Sequence, residues 1–261
     1  MNALTVSILS ISMIFLTTTL GSSFVFFFKR ELGVKANNLI LGFAGGIMIA
    51  ASIFGLILPS IEQSKELYGR VSYLPPLLGF LLGCLLLWLL DFLIPHIHQN
   101  SMVEEGRKSN ISKNLKFFFA VTIHNIPEGL AVGFACGLAL ASNDIAAISA
   151  ALSLSIGIAI QNVPEGAAVS IPMLGNGKSK GKAFLFGTGS GIVEPIFAIA
   201  GLFLAQLSIL TPWLLSIAAG AMFYVTLDEI LPESRKGGFE HYGLWSFLLG
   251  FLLMMALELL L

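Results

Sequence analysis

KFFFAVTIHNIPEGLAVGFACGLALASNDIAAISAALSLSIGIAIQNVPEGAAVSI, residues 116–171, consists of two long apolar runs separated by a short polar break. A helix crosses the hydrocarbon core of a bilayer with about 20 apolar residues, and the runs 116–141 and 144–171 both exceed that length. Each run carries one copy of a related hexapeptide, HNIPEG at 124–129 and QNVPEG at 161–166. His124 and Glu128 are four residues apart, as are Gln161 and Glu165, so each pair projects from one helix face. Pro127 and Pro164 have no N–H, and their rings crowd the carbonyls of Ile123 and Ile160, which predicts a kink in both helices. Irregular backbone at that depth persists only where it lines a cavity or is packed in protein. Gly129 and Gly166 allow a neighbouring helix to come close.

The same reading extends outward along the chain. Eight segments qualify as spans, approximately 3–28, 37–59, 72–95, 116–141, 144–171, 183–206, 212–232 and 242–261. The breaks, among them KRELGVKAN, EQSKELYGR and GNGKSKGK, are short and polar and leave no room for a soluble domain. The fold class is therefore all-α: a polytopic eight-helix transmembrane bundle, kinked in its fourth and fifth helices, with residues 1–261 as one membrane domain. Only 11% of the residues are charged, against about 25% in a soluble domain. A net charge of -1 without a basic stripe argues against nucleic-acid binding. Cys84 and Cys136 lie in apolar runs and read as small hydrophobes. The first run has no basic residue before it and outlasts a signal sequence, so it reads as a retained span.

Orientation follows from the cations, because cytoplasmic loops retain Lys and Arg. Lys29, Arg30, Lys35, Arg107, Lys108, Lys113, Lys116, Lys178, Lys180, Lys182, Arg235 and Lys236 fall on one side, leaving only Lys65 and Arg70 of the 14 on the other. Both termini are thus expected outside the cytoplasm, in the plasma (inner) membrane.

Ionisable groups within a span cost several kcal/mol. His124, Asn125 and Glu128 lie in the fourth span, and Gln161, Asn162 and Glu165 in the fifth. Glu194 lies in the sixth, Asp91 in the third, and Asp228 and Glu229 in the seventh. No Lys or Arg occupies mid-depth, so ion pairing does not explain them, and a mobile cation is the simplest partner. One imidazole with carboxylate and amide oxygens suits Zn, Fe(II), Mn or Co better than Ca, Mg or Cu(I).

On the paired HNxPEG and QNxPEG helices, the glycine-rich second span GFAGGIMIAASIFGLILP and the sixth-span GSGIVEPIFA, the chain resembles the ZIP (ZRT/IRT-like) metal transporter family, in its compact prokaryotic branch. The resemblance covers essentially the whole chain and implies a binuclear metal site halfway along a transport path. It assigns His124, Glu128, Gln161 and Glu165, with Met48, to one ion. Asn125, Glu128, Asn162, Glu165 and Glu194 go to the second, with Glu128 and Glu165 bridging. Asn162 stands where some relatives have Asp, and Asp228-Glu229 where many have His-Glu. The resemblance also implies a release or regulatory site at Asp91, His96 and His98, and Glu62 would mark the outer access path.

The function so implied is uptake of a divalent transition metal, zinc first and Fe, Mn, Co or Cd as alternatives, into the cytoplasm. No nucleotide motif accompanies it. Metal is the cargo and not a cofactor, the partners are metal ions and lipid, and a homodimer is the family-level expectation. Three rivals are an intramembrane zinc-dependent hydrolase, a metal efflux carrier, and an assembly protein without transport. A hydrolase normally gathers several histidines around zinc, whereas this chain has one imidazole at mid-depth.

Overall fold

The computed structural model describes residues 2–28, 32–94, 113–175 and 177–261. Among them, eight helices are long and apolar enough to cross a membrane. They are α1 (Ala3–Phe26), α2 (Val34–Val71), α3 (Leu74–Leu93), α4 (Lys113–Ser142), α5 (Ile145–Leu174), α6 (Lys180–Leu204), α7 (Ser208–Glu233) and α8 (Glu240–Leu260). No strand occurs among the described residues.

The helices associate in two groups. In the first, α1 packs along α5 and α4 along the second half of α6; in the second, α2 packs along α8 and α3 along α7. All four pairings are closed at glycine, where the partner's backbone takes the place of a side chain. Gly21 meets the carbonyl of Val163, Gly129 that of Glu194, Gly42 that of Gly243 and Gly83 that of Ile217. Without a hydrophobic drive between helices in lipid, such close backbone approach supplies the van der Waals contact. The seam between the groups is built differently. There α2 and α7 face α5 and α4, and a side chain at a glycine would meet side-chain ends: a Leu154 methyl at Gly55 and the Met254 thioether at Gly157.

Four features depart from the sequence reading. EQSKELYGR, expected as a loop after residue 59, continues α2 as helix to Tyr68. Its hydroxyls hold it in place: Ser60 donates to the Pro212 carbonyl at 2.6 Å, Ser64 to that of Ser72 at 2.6 Å and Tyr68 to that of Ile209 at 2.5 Å. The regular α-helical part ends at Tyr68, and Gly69, whose φ of +53° suits only glycine well, opens the short 3-10 turn Gly69–Val71 that finishes α2. Second, the sixth span is not continuous but breaks at Gly191–Ile192 into Lys180–Ser190 and Val193–Leu204. Third, α2 and α7 each contain a π-turn, at Ala51–Ile57 and Thr226–Ile230, a feature with no simple sequence mark. Fourth, the fourth helix begins at Lys113, before the expected residue 116. Pro127 and Pro164 lie inside α4 and α5, and both helices continue through them.

Candidate metal centre

The two motifs face each other across α4 and α5. Glu128 is fully buried, and its Oε1 accepts a hydrogen bond from Gln161 Nε2. The break in α6 adds the third element. In a regular helix the Glu194 N–H would reach the Ser190 carbonyl, but here it bonds Gly191 O at 3.1 Å. The Ser190 carbonyl is released and accepts from Asn125 Nδ2 at 3.2 Å. Glu194, at the start of the second half of α6, is fully buried. Its Oε1 accepts from Asn125 Nδ2 at 3.0 Å and from the Thr18 hydroxyl at 2.8 Å, and its Oε2 from Asn162 Nδ2 at 2.8 Å. Glu165 is half-buried and interacts electrostatically with His124, Glu128 and Glu194.

The unused atoms define the chemistry. Asn125 Oδ1, Glu128 Oε2, Gln161 Oε1 and Asn162 Oδ1 are buried without a hydrogen-bond partner among the described residues. All four are oxygens. A buried acceptor left unmade costs about 1–3 kcal/mol, and four lie together on the facing motifs of α4 and α5. Among the described residues no Lys or Arg is paired with Glu128, Glu165 or Glu194. The groups are assembled but not closed into a shell: among the described residues no three His, Cys, Asp or Glu side chains form a ready ion site.

His124 accounts for part of that. Its Nε2 lies 2.6 Å from Glu229 Oε1, across the seam between the helix groups. Two neighbouring acids lie in the π-turn of α7 and point different ways. Glu229 reaches His124, whereas Asp228 is exposed and lines a cleft with Phe80, Cys84, Phe223, Tyr224 and Leu227 between α3 and α7. Asp91, buried near the end of α3, is within electrostatic reach of His124. Met48 is buried in α2, its sulfur accepting from the Thr226 hydroxyl at 3.7 Å. Glu62 is exposed on the helical extension of α2. His96 and His98 lie outside the described residues.

Two polar residues escaped the sequence reading. Thr18 sits in an apolar span, where a threonine ordinarily back-bonds its own helix, so nothing marked it. Glu258, in the last turns of α8, has a buried Oε1 that a Gly55 side chain would approach to 3.4 Å. Its place in a span was the available signal.

Residues 103–258 match the family model described as ZIP Zinc transporter. The chain belongs to the ZIP zinc transporter family. It is similar to the zinc transporter GufA of Myxococcus xanthus, with 35% identity over 87% of this chain and 88% of that protein. It is likewise 35% identical to the zinc transporter ZupT of Chlorobaculum parvum, over 94% and 93%, and 33% identical to the zinc transporter ZIP11 of Xenopus tropicalis, over 92% and 93%. These relatives are named as transporters and not enzymes, which sets the hydrolase aside. With its eight apolar helices, this ZIP chain is a multi-pass membrane protein.

Proposed function

We propose that this chain, over residues 1–261 as a single transport unit, carries divalent transition-metal ions into the cytoplasm, zinc foremost. The observation that supports it most is the set of four buried, unpartnered oxygens on Asn125, Glu128, Gln161 and Asn162, gathered beside Glu165 and His124. Oxygens without donors suit a cation, and the imidazole shifts the set from calcium or magnesium toward zinc and its neighbours. Zinc is also what the similar proteins are named for.

His124, Glu128, Gln161 and Glu165 would hold the first ion, with Met48 from the opposing group. Asn125, Asn162 and Glu194 extend the set toward a second ion, with Glu128 and Glu165 bridging. To bind metal, His124 exchanges Glu229 for the ion, so loading the site loosens a contact between the two helix groups. The glycine-closed groups then shift against each other along the side-chain seam and alternate access. Asp91, Glu229 and Asp228, with His96 and His98, would lie on the cytoplasmic exit, and Glu62 on the outer access path. The cation distribution supports cytoplasmic loops on the basic side, with both termini outside in the plasma membrane.

Zinc uptake into proteoliposomes tests this. Wild-type protein should fill vesicles with zinc down its gradient. Uptake at wild-type rate by His124→Ala or Glu128→Ala protein would remove the site assignment, and export in place of uptake in oriented vesicles would reverse the direction.

A further inference from the structure

The two asparagines of the motifs are held in one orientation. Asn125 Nδ2 donates to Ser190 O at 3.2 Å and to Glu194 Oε1 at 3.0 Å. Asn162 Nδ2 donates to Ile14 O at 3.1 Å and to Glu194 Oε2 at 2.8 Å. A carboxamide nitrogen has two protons, so both amino groups are fully committed. Turning either amide over would set its oxygen against a carboxylate and a backbone carbonyl, with no donor between them. The orientation is therefore fixed by chemistry and not by the usual ambiguity of amide placement. Its consequence is that both carbonyl oxygens point away from Glu194 and stay unpartnered among the described residues.

Glu194 is itself held by a group that belongs to neither motif. The Thr18 hydroxyl, on α1, lies 2.8 Å from Glu194 Oε1 and 3.0 Å from its own helix carbonyl at Ile14. It has one proton, and the shorter contact, to Glu194, takes it. Glycine at 191 makes this approach feasible: a side chain there would begin 2.8 Å from Thr18 Cγ2 and 3.2 Å from Glu194 Oε1. With Asn125 and Thr18 both donating to it, Oε1 is saturated. Oε2, with one donor, keeps a lone pair for an ion.

We infer that Thr18 is a positioning residue of the ZIP metal site, fixing Glu194 so that the Asn125 and Asn162 oxygens and Glu194 Oε2 face the ion. The inference rests on the proposed site. It assigns α1, which contributes no side chain to either motif, a direct part in metal affinity. Thr18→Val keeps shape and removes the donor. Thr18→Ser keeps the donor and removes the methyl.

The experiment is zinc titration of purified full-length protein, with initial-rate zinc uptake in proteoliposomes, for wild type, Thr18→Val, Thr18→Ser and Glu128→Gln. Outer-shell partners of metal ligands are worth about 10- to 100-fold in affinity. Thr18→Val should raise the zinc Kd and the uptake KM about tenfold, with the maximal rate at saturating zinc retained. Thr18→Ser should restore the wild-type KM. Unchanged affinity in Thr18→Val, or equal damage in Thr18→Ser, overturns the inference. Should Thr18→Val fail to fold, Thr18→Ala against Thr18→Ser makes the same comparison. Glu128→Gln separates the two levels. If it loses zinc while Thr18→Val does not, only the role of Thr18 fails; if it binds zinc like wild type, the site itself fails and the inference with it.

Discussion

The two hexapeptides HNIPEG and QNVPEG behave alike at their second position and differently at their first. Asn125 and Asn162 do the same work on α4 and α5: each commits both amino protons, one to a backbone carbonyl and one to Glu194. Gln161 turns inward and donates to Glu128 within the same helix group. His124, at the matching position, turns outward and meets Glu229 on α7 across the seam at 2.6 Å. The repeated asparagine thus builds the frame of the site. The variable position decides which motif is linked across the seam between the helix groups and which supports its neighbour.

The comparison breaks most severely if Glu128 is altered, because both motifs converge on it. Glu128→Gln should lower zinc uptake by about 100-fold or more, measured as initial rates in proteoliposomes. Next, His124→Gln makes the α4 motif match that of α5. It should raise the uptake KM for zinc at least about tenfold, and metal-free protein should show faster hydrogen exchange where α4 meets α7, since the Glu229 contact is weakened. An unchanged KM would place the imidazole outside the metal site.

The asparagine frame is tested by Asn162→Asp. An aspartate has no protons for Glu194 Oε2 or the Ile14 carbonyl, so two carboxylates would face each other without metal. The metal-free variant should melt at a lower temperature than wild type, and bound zinc per chain should rise, read by elemental analysis of purified protein. External acid should slow zinc uptake by the wild type, because Glu and His must lose protons before they bind metal. The smallest effect belongs to Asp228→Asn. Its exposed side chain lines the α3–α7 cleft, while Glu229 makes the His124 contact, so its KM should stay within about twofold of wild type.

Much of this was legible in the chain. Apolar run length located all eight spans to within a few residues, apart from the C-terminal part of α2. There composition misled: EQSKELYGR is polar, but its helix is held by hydroxyls bonding to Pro212 and Ile209, which are distant in sequence. The motif residues were visible as polar groups where lipid penalises them. Thr18 was not, because a lone hydroxyl in a span satisfies itself locally and leaves no periodic mark. Nor could adjacent acids be told apart. Asp228 and Glu229 read as a pair, but Glu229 meets His124 while Asp228 lines the α3–α7 cleft.

The sequence by itself determined that the chain is an all-α membrane protein, because burying backbone polar groups in lipid allows little else for such apolar runs. It also marked the polar residues placed where lipid penalises them, because ionisable groups within a span are costly. Tertiary structure alone decided how that site is built. The broken α6 frees the Ser190 carbonyl, and glycine at 191 lets α1 reach Glu194. Those arrangements depend on where separate helices touch, and contacts between residues as distant as Thr18 and Glu194 leave no pattern of spacing in the chain.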